Sequence, residues 1–172
     1  TGTFANPNNR NTTVSGLTAG VNTFRWSLNY LTCGIAADEM IVNAYDPNHP
    51  IANAGPAQDL CLPTNSTTFA ANNAISPAVG SWALVSGSGT VVNPNSPTSQ
   101  VNNLGQGTNV FRWTVDNGAC TPATSSNVTI RVFSNLQTAA NAGPDQQLCS
   151  PNLSTTLAGN VLIAPATGQW TV

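Results

Sequence analysis

Four cysteines, one histidine and six acidic residues are the side chains in this 172-residue chain best suited to chemistry. Cys33, Cys61, Cys120 and Cys149 allow three disulfide pairings. A zinc site is not expected from them, because no Cys-x-x-Cys occurs and His49 is the only histidine. His49 itself sits in a proline-flanked linker, and the matching stretch after Phe133 lacks a histidine, so it reads as linker and not as a base or ligand. Asp38-Glu39 is the only adjacent acidic pair. Neighbours on a strand point to opposite faces, so the two carboxyls cannot converge as a glycosidase pair must. Asp59, Asp116 and Asp145 are too sparse to supply the several oxygens that calcium takes. Serine is plentiful, but with no lysine and no second histidine nothing activates it. The expectation is a chain with no catalytic residue, no metal and no cofactor.

The composition narrows the partners. Only 6% of residues are charged, with four arginines, no lysine and a net charge of −2, against about a quarter in ordinary globular chains. That lacks the electrostatic footprint of a nucleic-acid or anionic-membrane binder, and it rules out a lysine–asparagine isopeptide crosslink. The 23 asparagines, with serine and threonine, must provide solubility. No run approaches the ~20 apolar residues that span a bilayer, so no membrane insertion is expected of this segment.

What would position any of these side chains is a repeated strand. Asn22-Thr23-Phe24-Arg25-Trp26 recurs 87 residues later as Asn109-Val110-Phe111-Arg112-Trp113. Phe111, Trp113 and Val115 alternate with Val110, Arg112 and Thr114, the period of a half-buried strand. Arg25 and Arg112 would lie on the outer face, bonding a neighbouring carbonyl. The repeat extends from Gly2-Thr3-Phe4 against Gly89-Thr90-Val91 to Met40-Ile41-Val42 against Val128-Thr129-Ile130. A second match joins Asn53-Ala54-Gly55-Pro56 to Asn141-Ala142-Gly143-Pro144, Cys61 to Cys149 and Trp82 to Trp170. A period of 87 to 88 residues is too long for a solenoid unit of about 20–45 and indicates domains in series. Residues 51–138 then form one complete repeat, 1–50 the C-terminal part of another and 139–172 the N-terminal part of a third. The short linkers 45–50 and 134–138 suit a stalk of modules, each partnered by its neighbours in the chain.

Within the complete repeat about seven strands are expected, at 51–61, 67–72, 80–85, 89–92, 99–104, 108–115 and 127–133. Gly, Pro, Asn and Ser turns separate them. Seven short strands in about 88 residues predict an all-β chain of tandem immunoglobulin-like sandwiches. Trp82, Trp113, Phe111 and, in the first copy, Trp26 are the expected core, joined by Leu84, Val128, Ile130 and Val132.

Two disulfide schemes stay open on spacing. One joins Cys61 to Cys120 within the complete module, leaving Cys33 and Cys149 to partners outside it. Closing a loop of about 60 residues would stabilise by ~4 kcal/mol in the chain-entropy account. The other joins Cys33 to Cys61 and Cys120 to Cys149, stapling modules together. Either implies an oxidising, exported setting.

Asn-Ala-Gly-Pro-Asp-Gln-Gln-Leu-Cys at 141–149, Gly-Gln-Trp-Thr-Val at 168–172, Asn-Pro-Asn-Ser-Pro-Thr-Ser at 93–99 and Phe-Arg-Trp-Thr-Val-Asp-Asn-Gly-Ala-Cys at 111–120 carry a resemblance across the whole chain. It resembles the PKD-like repeats of giant surface adhesins of the SprB type, from gliding bacteria with a type 9 secretion system. The resemblance implies a non-catalytic filament on the bacterial outer-membrane exterior, moved by secretion and gliding machinery. Surface polysaccharide or other glycans are the candidate ligands of such a filament. The alternative is a carbohydrate-binding or spacer module of a secreted polysaccharide-degrading enzyme.

Overall fold

A computed structural model describes residues 2–172. It is built from strands, with one short 3-10 turn at Leu31–Cys33. No helix among the described residues is long and apolar enough to cross a membrane.

The central stretch carries β5 (Gln58–Cys61), β6 (Thr67–Thr68), β7 (Val79–Ser86), β8 (Thr90–Val91), β9 (Gln100–Asn102), β10 (Gly107–Asp116) and β11 (Thr124–Phe133). One sheet runs β5-β11-β10-β7 and the other β6-β9-β8. Neighbours are antiparallel except β5, which lies parallel to the end of β11. Both sheets face one core of Phe69, Trp82, Val101, Phe111, Trp113, Ile130 and their neighbours. This is an immunoglobulin-like β-sandwich, with seven strands as the alternation requires.

Sequence alternation explains the packing of β10. Asn109, Phe111, Trp113 and Val115 point inward and are buried, while Arg112 is exposed. The aromatic rings interlock. Phe69 stacks on Trp82 with centroids 3.8 Å apart, and Trp82 lies 5.1 Å from Trp113. Gly80 makes room for that ring, since a Cβ there would fall 2.2 Å from a carbon of Trp113. Trp82 Nε1 donates to Ser96 O at 3.0 Å, which satisfies its polar edge.

Two expectations are corrected here. Leu84 is 45% exposed, although it pairs in register with buried Phe111; it is the last β7 residue before the register with β10 shifts, at the edge of the sheet. Residues 51–57 lie outside any strand, held instead by Asn72, whose side chain donates to Ile51 O and accepts from Asn53 N.

The flanks differ. Residues 2–50 form two hairpin pairs, β1 (Thr3–Phe4) with β2 (Val14–Ser15) and β3 (Gly20–Asn29) with β4 (Ile35–Ala44). Residues 139–172 contain no strand. Trp26, expected in a core, is 43% exposed. The strands that flank β10 and β11 in the central sandwich have no counterpart beside β3 and β4.

Candidate functional site at the module junction

The link from β4 into the central sandwich is held by several side-chain contacts. Tyr45 lays its ring on Gly118, where a Cβ would come within 2.3 Å of it. Gly118 has φ +59, a left-handed turn residue whose N–H donates to Asp116 Oδ1 at 2.8 Å. Beside it Asn117 is buried, and its Nδ2 donates to Asp46 O at 2.9 Å and to Thr121 Oγ1 at 3.2 Å. Further along, Ala52 N donates to Thr124 Oγ1 at 2.9 Å. The linker is thus held by backbone and side-chain bonds, and is not free to swing.

His49 has a structural task. Its Nε2 accepts the Ile75 N–H at 2.7 Å, while Nδ1 lies 2.8 Å from Pro50 O. The neutral tautomer protonated on Nδ1 satisfies both contacts. Residue 137, one period later, performs the same service: Gln137 Oε1 accepts the Ile163 N–H at 2.8 Å. His49 therefore has a counterpart in role, disguised by a change of residue type. An acceptor at a fixed offset, sought instead of a second histidine, would have revealed it.

The same duplication runs through the asparagines and glutamines. Asn72 Oδ1 accepts from Asn53 N at 2.8 Å as Asn160 Oδ1 does from Asn141 N at 2.9 Å. Gln58 Nε2 donates to Thr68 O at 3.0 Å, and Gln146 Nε2 to Thr156 O at 3.1 Å. Buried Asn109 bonds Gly105 O and Ser88 N, and Asn22 bonds Thr18 O and Gly20 O. The abundance of asparagine reflects fixed turns as well as solubility.

No disulfide joins the cysteines in either expected scheme. All four are free and exposed. Cys61 pairs with Phe133 at one end of β11, whereas Cys120 lies in the loop before Thr124 at the other end. Nine strand residues separate those ends by about 30 Å, so a Cys61–Cys120 bond cannot form within this sandwich. A Cys33–Cys61 or Cys120–Cys149 bond is likewise absent. The parallel pairing of β5 with β11 decides this, and nothing local in the sequence announces it. Cys120 Sγ instead rests 3.4 Å from Tyr45 O, in the junction.

Two of the remaining polar candidates are tied into the fold, Asp59 and Arg112. Asp59 forms a two-pronged ion pair with Arg131 at 2.7 and 2.8 Å, both side chains about half exposed. That hydrogen bond first, and the carboxylate charge second, raise the Arg131 pKa. Arg112 Nε donates to Asn127 Oδ1 across the strand pair at 3.2 Å. Asp38 and Glu39 follow one another on β4, opposite Trp26 and Arg25. Among the described residues no three of His, Cys, Asp and Glu come together.

No family model matches the chain. Over 119 residues, 64% of the chain, it is 34% identical to the Dyslexia-associated protein KIAA0319-like protein of Mus musculus, and it spans 11% of that protein's length. Among solved structures, the PKD domain from KIAA 1837 protein is 28% identical, covering 56% of this chain and 92% of that one with a TM-score of 0.43. The PKD domain from human KIAA0319 is 20% identical over 56% of this chain and 88% of that one, with a TM-score of 0.41. The central stretch is a sandwich, as its own sheets show.

Proposed function

We propose that this chain is part of a long, non-catalytic stalk of a surface adhesin, exported to the cell exterior and serving gliding or attachment. The observation that carries this reading is the pinned junction. Tyr45 on Gly118, Asp46 on Asn117 and His49 on Ile75 fix one module to the preceding segment, and Gln137 repeats the His49 bond at the next boundary. Modules tied in this way extend reach and transmit force along the array. The low charge agrees with a role that needs no reacting group. The 1–50, 51–138 and 139–172 division belongs to this reading, as do the type 9 secretion and gliding machinery and glycan ligands as partners.

The test is an in-frame deletion of these repeats in the cell that makes them, scored for attachment to glass and for spreading. Attachment or spreading should fall while polysaccharide hydrolysis is unchanged. Normal attachment and spreading, with lost hydrolysis, would replace the stalk by the enzyme-spacer reading.

A further inference from the structure

The two cysteine positions of the repeat lie at opposite poles of the complete module, each beside a linker. Cys61 pairs with Phe133, where β5 runs parallel to the end of β11. The next amide, Leu62 N–H, donates to Phe133 O at 3.0 Å. Phe133 is the last residue of β11, at the mouth of the linker that leaves the module. Cys120 sits at the other pole, in the loop between β10 and β11, and its Sγ–H donates to Tyr45 O at 3.4 Å. Tyr45 begins the linker that enters the module.

Tyr45 and Phe133 are one position of the repeat, 88 residues apart. Laying one boundary on the other therefore brings two contacts to a single carbonyl. The first is the amide that follows the Cys61-type residue of the module ending there. The second is the thiol of the Cys120-type residue of the module beginning there. A carbonyl oxygen has two lone pairs and accepts both. Strand spacing puts the Cα of Cys61 about 4.8 Å from that of Phe133, so the two cysteines crowd one residue. That is the scale of the about 4.4–6.8 Å that separates the Cα atoms of a disulfide. Both thiols are exposed, so a neighbouring module can reach them.

We propose that Cys61 is bonded to the counterpart of Cys120 in the following module, and Cys120 to the counterpart of Cys61 in the preceding one, so that each boundary of the array carries one disulfide. The inference rests on the reading of modules in series and not on what the stalk grips. Cys33 and Cys149 take the same two roles in the modules on either side. The thiolate of one cysteine attacks the disulfide of an exported thiol–disulfide oxidoreductase, and the thiolate of the second displaces it. The pair gives up two protons and two electrons, and the oxidant leaves as a dithiol. The staple changes what carries load. Residues 120–149 run from one boundary cysteine along β11 and through the linker to the next cysteine of the other type. Bonded at both ends, such runs join module to module with little slack. Residues 62–119 only bridge two of these routes, so the stalk cannot lengthen by unfolding them.

The test takes the native full-length protein, blocks free thiols with N-ethylmaleimide before denaturation, and cleaves without reductant. Cleavage at the aspartates places each of the four cysteines in its own peptide. The peptide holding Cys61 should be linked to one from the following module, and the peptide holding Cys120 to one from the preceding module. In the full-length protein Cys120→Ser should free a single thiol, in the preceding module, and leave Cys61 bonded. Pulled as single molecules, reduced modules should unfold in steps of roughly 250 Å, and the oxidised array should show no such steps. A Cys61–Cys120, Cys33–Cys61 or Cys120–Cys149 peptide, or maleimide on both Cys61 and Cys120, would overturn the staple and leave the array standing. Equal unfolding steps with and without reductant would also overturn it. Peptides showing no counterpart module on either side would remove the array itself, and the staple with it.

Discussion

Trp113 and Trp26 sit in nearly the same sequence, Phe-Arg-Trp on a ten-residue strand, and end in opposite environments. Trp113 is fully buried between sheets, while Trp26 stands 43% exposed on a two-stranded hairpin. The strand pattern is local and forms in both places, because β3–β4 and β10–β11 are each hairpins whose pairing needs only adjacent chain. Burial is not local. It needs β7 and the second sheet, which come from earlier residues in the same repeat. A hydrophobic stripe therefore specifies which face will be buried, and the presence of the facing half decides whether it is.

The sharpest way to break that comparison is truncation at the two tryptophans. Trp113→Ala should cost ~3–5 kcal/mol, the usual range for emptying a core, read as a lower urea midpoint. Trp26→Ala in dilute chain should cost under about 1.5 kcal/mol, since much of its surface is already wet. Next comes Gly80→Ala, which drives a methyl into the Trp113 ring and should destabilise by ~1–3 kcal/mol by overpacking. Thermal unfolding followed by tryptophan emission would register it. Asn109→Ala removes the acceptor of Ser88 N and the donor to Gly105 O inside the core edge. It should cost ~1–3 kcal/mol through unsatisfied backbone groups. The smallest effect is expected at Asp59→Asn, which should leave the urea midpoint nearly unmoved because the pair is half exposed. The Arg131 pKa is raised, so the contribution of its charge is complete below the ordinary arginine value. It is lost only in strong alkali, and pH near neutrality should not reveal it through Arg131.

Much of the architecture was legible because it is written in local periods. The alternation through Phe111, Trp113 and Val115, and the turn residues between strands, determine sheet and face together. Leu84 misled because alternation gives the face of a residue and not its cover: it sits near the end of the edge strand β7 and stays 45% exposed. The cysteines misled for a topological reason: parallel β5–β11 pairing sends Cys61 to the pole opposite Cys120. At the junction, Asp116-Asn117-Gly118 was readable as a turn, but its use by Tyr45 and Asp46 depends on a contact across 70 residues or more. His49 and Gln137 show the converse, one role at one repeat position carried by two residue types.

Hydrogen exchange resolved by peptide is the most direct test of the claim that completion, not sequence, separates the two regions. In dilute reduced chain, amides of 107–133 should be protected by orders of magnitude more than those of 20–44. Equal protection of the two strand pairs in dilute reduced chain would contradict the account.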